Sequence, residues 1–433
     1  MSVSFLGRVR GRIASWMHFL EALAARIIFY YPGEVKIIGV TGTDGKTTTT
    51  FLIDAVLRGA GYKTALCNGL VFRIGREEYP NPTDNTTPRA WIIHQFIKKA
   101  KRSGCQYIII ESTSWAIRQW RLWGIPFSTA VFTNLTLEHQ DVHGSMDKYK
   151  ESKGLLFATV SQAKNSTSIV NKDDPASDYF LSFPVEKKLS YSIKDSSADL
   201  WAHDIVLEPH RSLFKVCYLG QDYPIEINLP GDYNVANSLA AISLVLAEKI
   251  DFSILQSSIL VFTGAPGRFE YVQTGKDYHV VVDFAHTPGA FRNLFSNVRR
   301  IYPKARIIAV FGAAGGRDPI KRPFLGEEAA MGADFSILTS DDPRFEDPET
   351  IARSIMGGFR KAGKHENQDF IFIKDRKEAI RKALSMASAG DVVLLLSMGA
   401  YEAMYVGAGK VPWNDKKAVE EIVGQQIPPQ PSL

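Results

Sequence analysis

The sequence predicts an α/β protein in which a central P-loop domain with a parallel sheet precedes a C-terminal Rossmann-like α/β domain. Three observations carry this expectation. The β-branched run Val35 to Val40 leads at once into a glycine-rich turn and a helical stretch, Thr47 to Arg58. The strand–turn–helix order returns at Tyr107 to Glu111 and at Thr129 to Asn134, and such alternation indicates a parallel sheet covered on both faces. A second series of strands (279–283, 305–311, 335–339, 370–374 and 391–396), mostly separated by helical stretches, gives another doubly wound unit.

A chain of 433 residues suits two or three domains. With 45% apolar and 22% charged residues it can fill their cores and carries no disorder signature. The net charge is only +5, and no dense basic stripe appears beyond Arg8, Arg10 and Arg12, which argues against nucleic acid as a partner. Cys67, Cys105 and Cys217 lie far apart. That spacing excludes a disulfide framework and a cysteine zinc site, and it fits a reducing cytoplasm.

Residues 1–33 form an N-terminal extension. Ile13, Trp16, Met17, Leu20, Leu23, Ile27 and Ile28 recur at helical spacing, while His18, Glu21 and Arg26 interrupt the run too often for it to span a bilayer. Two fates stay open for this amphipathic helix: packing on the first domain, which the pattern favours, or peripheral contact with a membrane through its apolar face and Arg8 to Arg12. Residues 34–262 are read as the central domain, with an antiparallel insertion on the sheet edge within 165–230 and a helix from Gly231 to Ile250. Residues 263–425 are read as the second domain, and 426–433 as a disordered, proline-rich tail.

The turn after the first strand reads Thr41-Gly-Thr-Asp-Gly-Lys-Thr-Thr48. In that position backbone N–H groups at a helix N-terminus point at phosphates. Thr43, Asp44, Gly45, Lys46, Thr47 and Thr48 therefore form a candidate nucleotide cradle, with Lys46 as its cation and the Thr47 hydroxyl able to ligate Mg²⁺. The general phosphate-loop pattern would need glycine where the chain has Val40; Gly39 comes one residue early.

Ordered motifs then continue along the chain: Asn85-Thr-Thr-Pro88, Glu111-Ser-Thr-Ser114 with Arg118 and Arg121, Thr133 to Gly144, and Tyr149-Lys-Glu-Ser-Lys153. They go on through Gly231 to Asn237, Pro266-Gly-Arg-Phe-Glu270, Val282 to Pro288, Phe311 to Asp318, Lys321-Arg-Pro323 and Asp341 to Pro348. With these motifs the chain resembles the Mur ligase superfamily, ATP-dependent enzymes that join an amino acid to a carboxylate. Within it the chain is most similar to the MurE type, which adds the third residue (meso-diaminopimelate or L-lysine) to UDP-N-acetylmuramoyl-L-Ala-D-Glu.

The resemblance implies an ADP-forming ligase of peptidoglycan precursor synthesis that works through an acyl phosphate, as a cytoplasmic monomer on small-molecule substrates. It implies ATP and two Mg²⁺ sites: one held by Thr47 and Glu111, a second by His139 together with Lys153, which in the family reacts with CO₂ to form a carbamate. His143 is a weaker candidate beside His139. Carbamylation needs a neutral amine and hence a lowered lysine pKa. Lys46, His139 and Lys153 would be catalytic. Asn234 and Asn237 would meet the adenine edge, and Arg268, Asp283 and His286 would reach the ribose and phosphates from the second domain. Asn85, Thr86, Thr87, Ser112, Ser114 and Arg121 would hold the acceptor peptide; the spacing to Ser114 favours Arg121 over Arg118 as a carboxylate clamp. Arg317, Asp342, Arg344 and Glu402 would bind the amino acid.

Three departures qualify the expectation. The family's N-terminal domain grips UDP, and about 38 residues before the loop are too few for such a fold. A UDP-free or lipid-linked acceptor is therefore the alternative. Asp342 stands where the family has a neutral amide, which suits a distal ammonium, while Arg344 favours diaminopimelate. The stretch Ser397 to Glu402 lacks the family's lysine and histidine. Its loss keeps open a non-catalytic, nucleotide-binding subunit, although Lys46, Thr47, Glu111, His139 and Lys153 all remain.

Overall fold

Two twisted sheets, each packed on both faces, organise the chain; the computed structural model describes residues 5–31, 34–83, 85–136 and 144–426. The first sheet begins with β1 (Lys36–Thr41), whose exit feeds α2 (Lys46–Gly59) after α1 (Phe5–Ile28). It continues with β2 (Thr64–Cys67), β3 (Val71–Ile74), β4 (Glu77–Pro80), α3 (Ala90–Arg102), β5 (Tyr107–Glu111), α4 (Ser114–Arg118) and β6 (Phe127–Phe132). Next come α5 (Met146–Val160), β7 (Thr167–Asn171), α6 (Ser177–Leu181), β8 (Lys187–Ser192), β9 (Leu200–Leu207), β10 (Ser212–Tyr218) and β11 (Gln221–Ile227). The eleven strands pair in the order β11-β10-β9-β8-β7-β6-β1-β5-β2-β3-β4. β1 is central and parallel to both β5 and β6, so loops at its C-terminal end open where α/β sheets bind ligands.

The region 165–230 differs in part from the antiparallel insertion expected. β7 and β8 extend the parallel sheet, and only β9, β10 and β11 pair antiparallel. Short apolar runs do not reveal strand direction; the connection does, and α6 carries the chain over between β7 and β8.

Helices α7 (Asp232–Ala247) and α8 (Phe252–Leu260) lead to the second sheet. That sheet holds β12 (Glu270–Val272), β13 (His279–Asp283), β14 (Ile307–Phe311), β15 (Phe335–Leu338), β16 (Phe370–Phe372) and β17 (Val392–Leu396), in the order β12-β13-β17-β14-β15-β16. Only β12 runs antiparallel. Its helices are α9 (Pro288–Ile301), α10 (Lys321–Gly332), α11 (Pro348–Lys361), α12 (Arg376–Met386) and α13 (Asp415–Gln426). Several starts are written locally: Thr287 and Asp347 cap α9 and α11 from the residue before a first-turn proline, and Asp375 caps α12. The small hairpin β18 (Ala403–Val406) and β19 (Gly409–Pro412) follows β17. A buried ion pair, Arg376 to Asp415 at 2.6 Å, ties α12 to α13.

The lobes touch through α7. Asp232 pairs with Arg300 at 2.7 Å and exchanges hydrogen bonds with Asn297, both on α9.

The amphipathic N-terminal helix forms, but with its faces reversed from those expected of a packed helix. α1 meets the first lobe through Phe19, Ala22 and Ala25, while Trp16, Met17, Leu20, Ile27 and Ile28 face outward. Its polar residues serve the packing: Glu21 pairs with Arg89 at 2.7 Å, and the Trp120 indole donates to Ser15 Oγ.

Candidate active site

The glycine-rich turn is held from below and from the side. Gly42 and Gly45 have φ of 153° and 80°. A Cβ would lie 1.8 Å from Thr133 Oγ1 at the first and 2.4 Å from Asn237 Oδ1 at the second, so the loop tolerates no side chain there. The segment after β6 fastens it: Asn134 accepts from the Thr43 and Asp44 N–H groups at 2.9 and 2.8 Å, and the Thr133 hydroxyl donates to Asp44 O at 2.7 Å. Lys46 folds back, with Nζ donating to Thr43 O at 2.5 Å. Thr43 Oγ1 also meets the Tyr149 hydroxyl at 3.2 Å.

Two charged side chains flank this loop deep in the lobe. Glu111, at the end of β5, is buried and accepts from the Thr47 hydroxyl at 3.0 and 3.2 Å and from Gly69 N at 3.1 Å. Lys153, on α5, is buried and donates from Nζ to Gly42 O at 2.6 Å, with its ammonium 4.3 Å from the Tyr149 ring centre. Gly39 explains how α5 comes so close: a Cβ there would sit 2.8 Å from Leu156 Cδ1, so the glycine lets the helix press onto β1. Gly39 therefore serves packing, ahead of the glycine-rich turn. Asp174, after β7, accepts from Leu135 N and Ala176 N at 2.6 and 2.8 Å. Burial raises its carboxyl pKa against the pull of those amides and of Lys153.

The second lobe contributes Arg268. Its Nη2 donates to Thr47 Oγ1 at 3.3 Å, and its guanidinium lies 4.3 Å over the Phe284 ring. Thr47, Gly69, Thr86, Arg268, Phe284 and Tyr401 line a narrow cleft between the lobes. Asp283 holds the backbone beneath Arg268, accepting from Phe269 N and Ala285 N; burial raises its pKa while Arg268 opposes. His286 Nδ1 pairs with Phe284 O at 2.8 Å.

Other candidates divide by where their polar atoms go. The Thr87 hydroxyl donates to Glu111 O at 2.7 Å, and Arg121 Nη1 donates to Thr87 O at 2.8 Å, so these two sit together beside Glu111. Thr86 lies at the cleft, and Asn85 closes the preceding turn by accepting from Asn81 and Thr83. Ser114 is buried at the start of α4. Ser112 is fully buried, with its hydroxyl bonded to Ile110 O, and offers no exposed donor. Asn234 and Asn237 are likewise engaged inside: Asn234 donates to Pro230 O, Asn237 donates to Asn234 Oδ1, and Thr49 donates to Asn237 Oδ1.

In the second lobe Asp342 accepts from Tyr405 N at 2.7 Å and from Arg344 Nε at 3.2 Å. Glu402 turns instead to Lys417 at 2.9 Å, and Arg317 is exposed. His139 and His143 lie outside the described residues. Sequence reasoning passed over Tyr401, Phe284 and Asp174. Only Asp174 carried a signal, a carboxylate just past a strand end like Glu111.

Among the described residues no three His, Cys, Asp or Glu side chains cluster as a metal site. The Thr47 hydroxyl with the Glu111 carboxylate nevertheless fits Mg²⁺, which takes few protein ligands and keeps several waters. A glycine cradle at a helix N-terminus, a buried carboxylate beside its threonine and a cation from a second lobe define a nucleotide-using P-loop enzyme.

Comparison with known proteins narrows the class. Residues 40–245 match the Mur ligase middle domain, and residues 267–399 match the Mur ligase, glutamate ligase domain. A UDP-N-acetylmuramoyl-L-alanyl-D-glutamate--2,6-diaminopimelate ligase of Syntrophomonas wolfei is 38% identical over 410 residues, 94% of this chain and 82% of the relative. A UDP-N-acetylmuramyl-tripeptide synthetase of Roseiflexus is 38% identical over 421 residues, 93% of this chain and 82% of its own length. A solved UDP-N-acetylmuramoyl-L-alanyl-D-glutamate--2,6-diaminopimelate ligase superposes with a TM-score of 0.63 at 28% identity, covering 96% of this chain and 83% of that one. The chain belongs to the Mur ligase family, ATP-dependent amino-acid ligases of peptidoglycan synthesis.

Proposed function

We propose that this chain joins a third amino acid, meso-diaminopimelate or L-lysine, to a muramoyl dipeptide in the cytoplasm. ATP would phosphorylate the acceptor carboxylate, and the amine would displace phosphate from the resulting acyl phosphate. The observation that supports this reading most is the meeting of Thr47, Glu111, Lys153 and Arg268 around one glycine loop. Amide formation from a carboxylate must bring two anions together, and fixed cations lower that cost.

Thr47 and Glu111 would hold one Mg²⁺, and His139 with a carbamate on Lys153 a second; bound metal would offset phosphate charge. The chain's own residues supply the rest. Loop N–H groups and Lys46 orient the phosphates once Lys46 leaves Thr43 O. Arg268 brings positive charge from the opposite wall. Arg121 and Thr87, tied together beside Glu111, would hold the acceptor end. Lys153 is buried beside Gly42 O, and carbamylation by CO₂ would act on its neutral amine.

The amino acid is read from the Asp342–Arg344 pair. Arg344 offers a guanidinium for a distal carboxylate, and Asp342 offers a countercharge for a distal ammonium. Diaminopimelate carries both groups. A panel of amino acids with UDP-N-acetylmuramoyl-L-Ala-D-Glu, read by ADP release, tests the proposal. Turnover dependent on diaminopimelate or lysine supports it, and none with any amino acid overturns it.

A further inference from the structure

The outward side of α1 is apolar from Trp16 to Ile28. Trp16, Met17, Leu20, Ile27 and Ile28 are 64%, 65%, 57%, 66% and 53% exposed. At helical spacing these residues and Ala24 share one face, while Glu21 and Arg26 lie on the side turned to the protein. A helix on a water-facing surface normally has the opposite polarity, and a contiguous apolar patch of this kind marks a contact surface. The patch continues onto Trp120, which is 39% exposed and held outward by a left-handed backbone, φ 59°, with its ring against Phe19 at 5.3 Å.

Charge indicates what covers it. The first three turns of α1 carry Arg8, Arg10 and Arg12, and the only acidic residue of the helix, Glu21, is neutralised by Arg89. An apolar face with a bulky indole, on a helix whose sequence carries four arginines and one carboxylate, suits a bilayer surface bearing anionic headgroups. No described helix is long and apolar enough to cross a membrane, so the fit is to lying on the surface.

We infer that α1 docks this enzyme on an anionic lipid surface through Trp16, Met17, Leu20, Ile27 and Ile28. Arg121 directly follows Trp120 and bonds Thr87. Docking therefore sets the proposed acceptor-holding segment beside the membrane plane, a consequence that rests on the acceptor role proposed for Arg121; the docking itself does not.

The full chain is sedimented with phosphatidylcholine vesicles with and without phosphatidylglycerol. Binding is expected only with phosphatidylglycerol, falling with added salt and by about fivefold for each of Arg8→Gln, Arg10→Gln and Arg12→Gln. Leu20→Asp and Trp16→Ser each should weaken binding by about tenfold or more, with unchanged circular dichroism and unchanged ADP release in solution. Failure to bind either vesicle, or equal binding by these variants, overturns the inference. A wild-type dimer that Leu20→Asp converts to monomer assigns the face to a second copy and also overturns it. Vesicle binding by a chain that releases no ADP would leave the docking standing while the ligase reading fell.

Discussion

Glu111→Gln separates a metal-organising carboxylate from a merely structural one. The buried side chain accepts from the Thr47 hydroxyl and from Gly69 N. Glutamine has the same shape: its oxygen can keep the Gly69 bond, and its NH₂ can donate to the Thr47 hydroxyl, which turns to accept. The fold then exchanges two charge-assisted contacts for neutral ones and is relieved of a buried charge, so stability should change by no more than about 1 kcal/mol. Catalysis should suffer far more, because the described residues offer no other carboxylate bonded to Thr47. Removing one preorganised electrostatic group from a dry site typically costs about 2.7–4 kcal/mol, or about 10²- to 10³-fold in rate. The assay is ADP release across a Mg²⁺ titration, alongside urea unfolding. Turnover should fall by that factor, and the Mg²⁺ midpoint should move to higher concentration. A variant that keeps more than about a tenth of its rate with an unmoved midpoint would refute the reasoning.

Further outcomes follow from other contacts. Arg268→Ala removes the second-lobe cation from Thr47; kcat should fall by about 10²-fold or more, with unchanged binding of the acceptor by calorimetry. In Asp342→Asn the amide oxygen can keep Tyr405 N, but its NH₂ then faces Arg344 Nε–H. A freed guanidinium should raise the diaminopimelate-to-lysine ratio of kcat/KM by about fivefold, since partly exposed pairs contribute about 1 kcal/mol. His94 links α3 to the end of α1: the Trp123 carbonyl can only accept, so Nε2 carries the proton and Nδ1 accepts from Tyr31. Burial pushes its pKa down to about 4. Above pH about 6.5 both folded and unfolded forms are neutral; as pH falls, the unfolded chain takes the proton first, and up to about 3 kcal/mol of stability is lost by pH about 4. Asp341 works oppositely, because burial raises its carboxyl to about 6: its contribution is complete below the ordinary carboxylate range and is lost as pH rises through 6. Wild type minus His94→Gln therefore isolates the histidine; equal unfolding midpoints at pH 7.5 and 5 in that difference would contradict the assignment.

The sheets were legible because their strands are short β-branched runs ended by turn residues, and β13 coincides with its expected span. Faces were not. Glu111 and Ser112 are neighbours at a strand end, and alternation sends one toward Thr47 and the other into the sheet interior. A motif read as a string cannot say which of two adjacent residues looks at the ligand. α1 shows the same limit at larger scale: its period was plain, but which face met the protein depended on Phe19 finding Trp120 and Trp123, and on Glu21 finding Arg89. Lys153 belongs to a third kind. Its closeness to the loop depends on Gly39 admitting Leu156, a contact between distant segments that no local spacing encodes.

The Arg268–Thr47 contact also constrains the order of events. In this arrangement the Thr47 hydroxyl donates to Glu111 and accepts from the guanidinium, whose Nη2 lies 3.3 Å from it, so a cation bound at that oxygen would lie close to a positive charge. At that range two cations repel strongly even with an effective dielectric constant of about 20. In the proposed reaction Arg268 would leave Thr47 when that hydroxyl turned to a metal ion, and phosphate anions would attract the guanidinium. The backbone that carries the guanidinium is fixed to the second lobe: Phe269 N donates to Asp283, and Gly267 lies where a Cβ would be 2.1 Å from Ala400 N. Phe269 at φ 49° and Ser397 at φ 80° add backbone strain in the same loops. Because this guanidinium comes from the second lobe, movement of that lobe would carry a cation toward or away from the glycine loop.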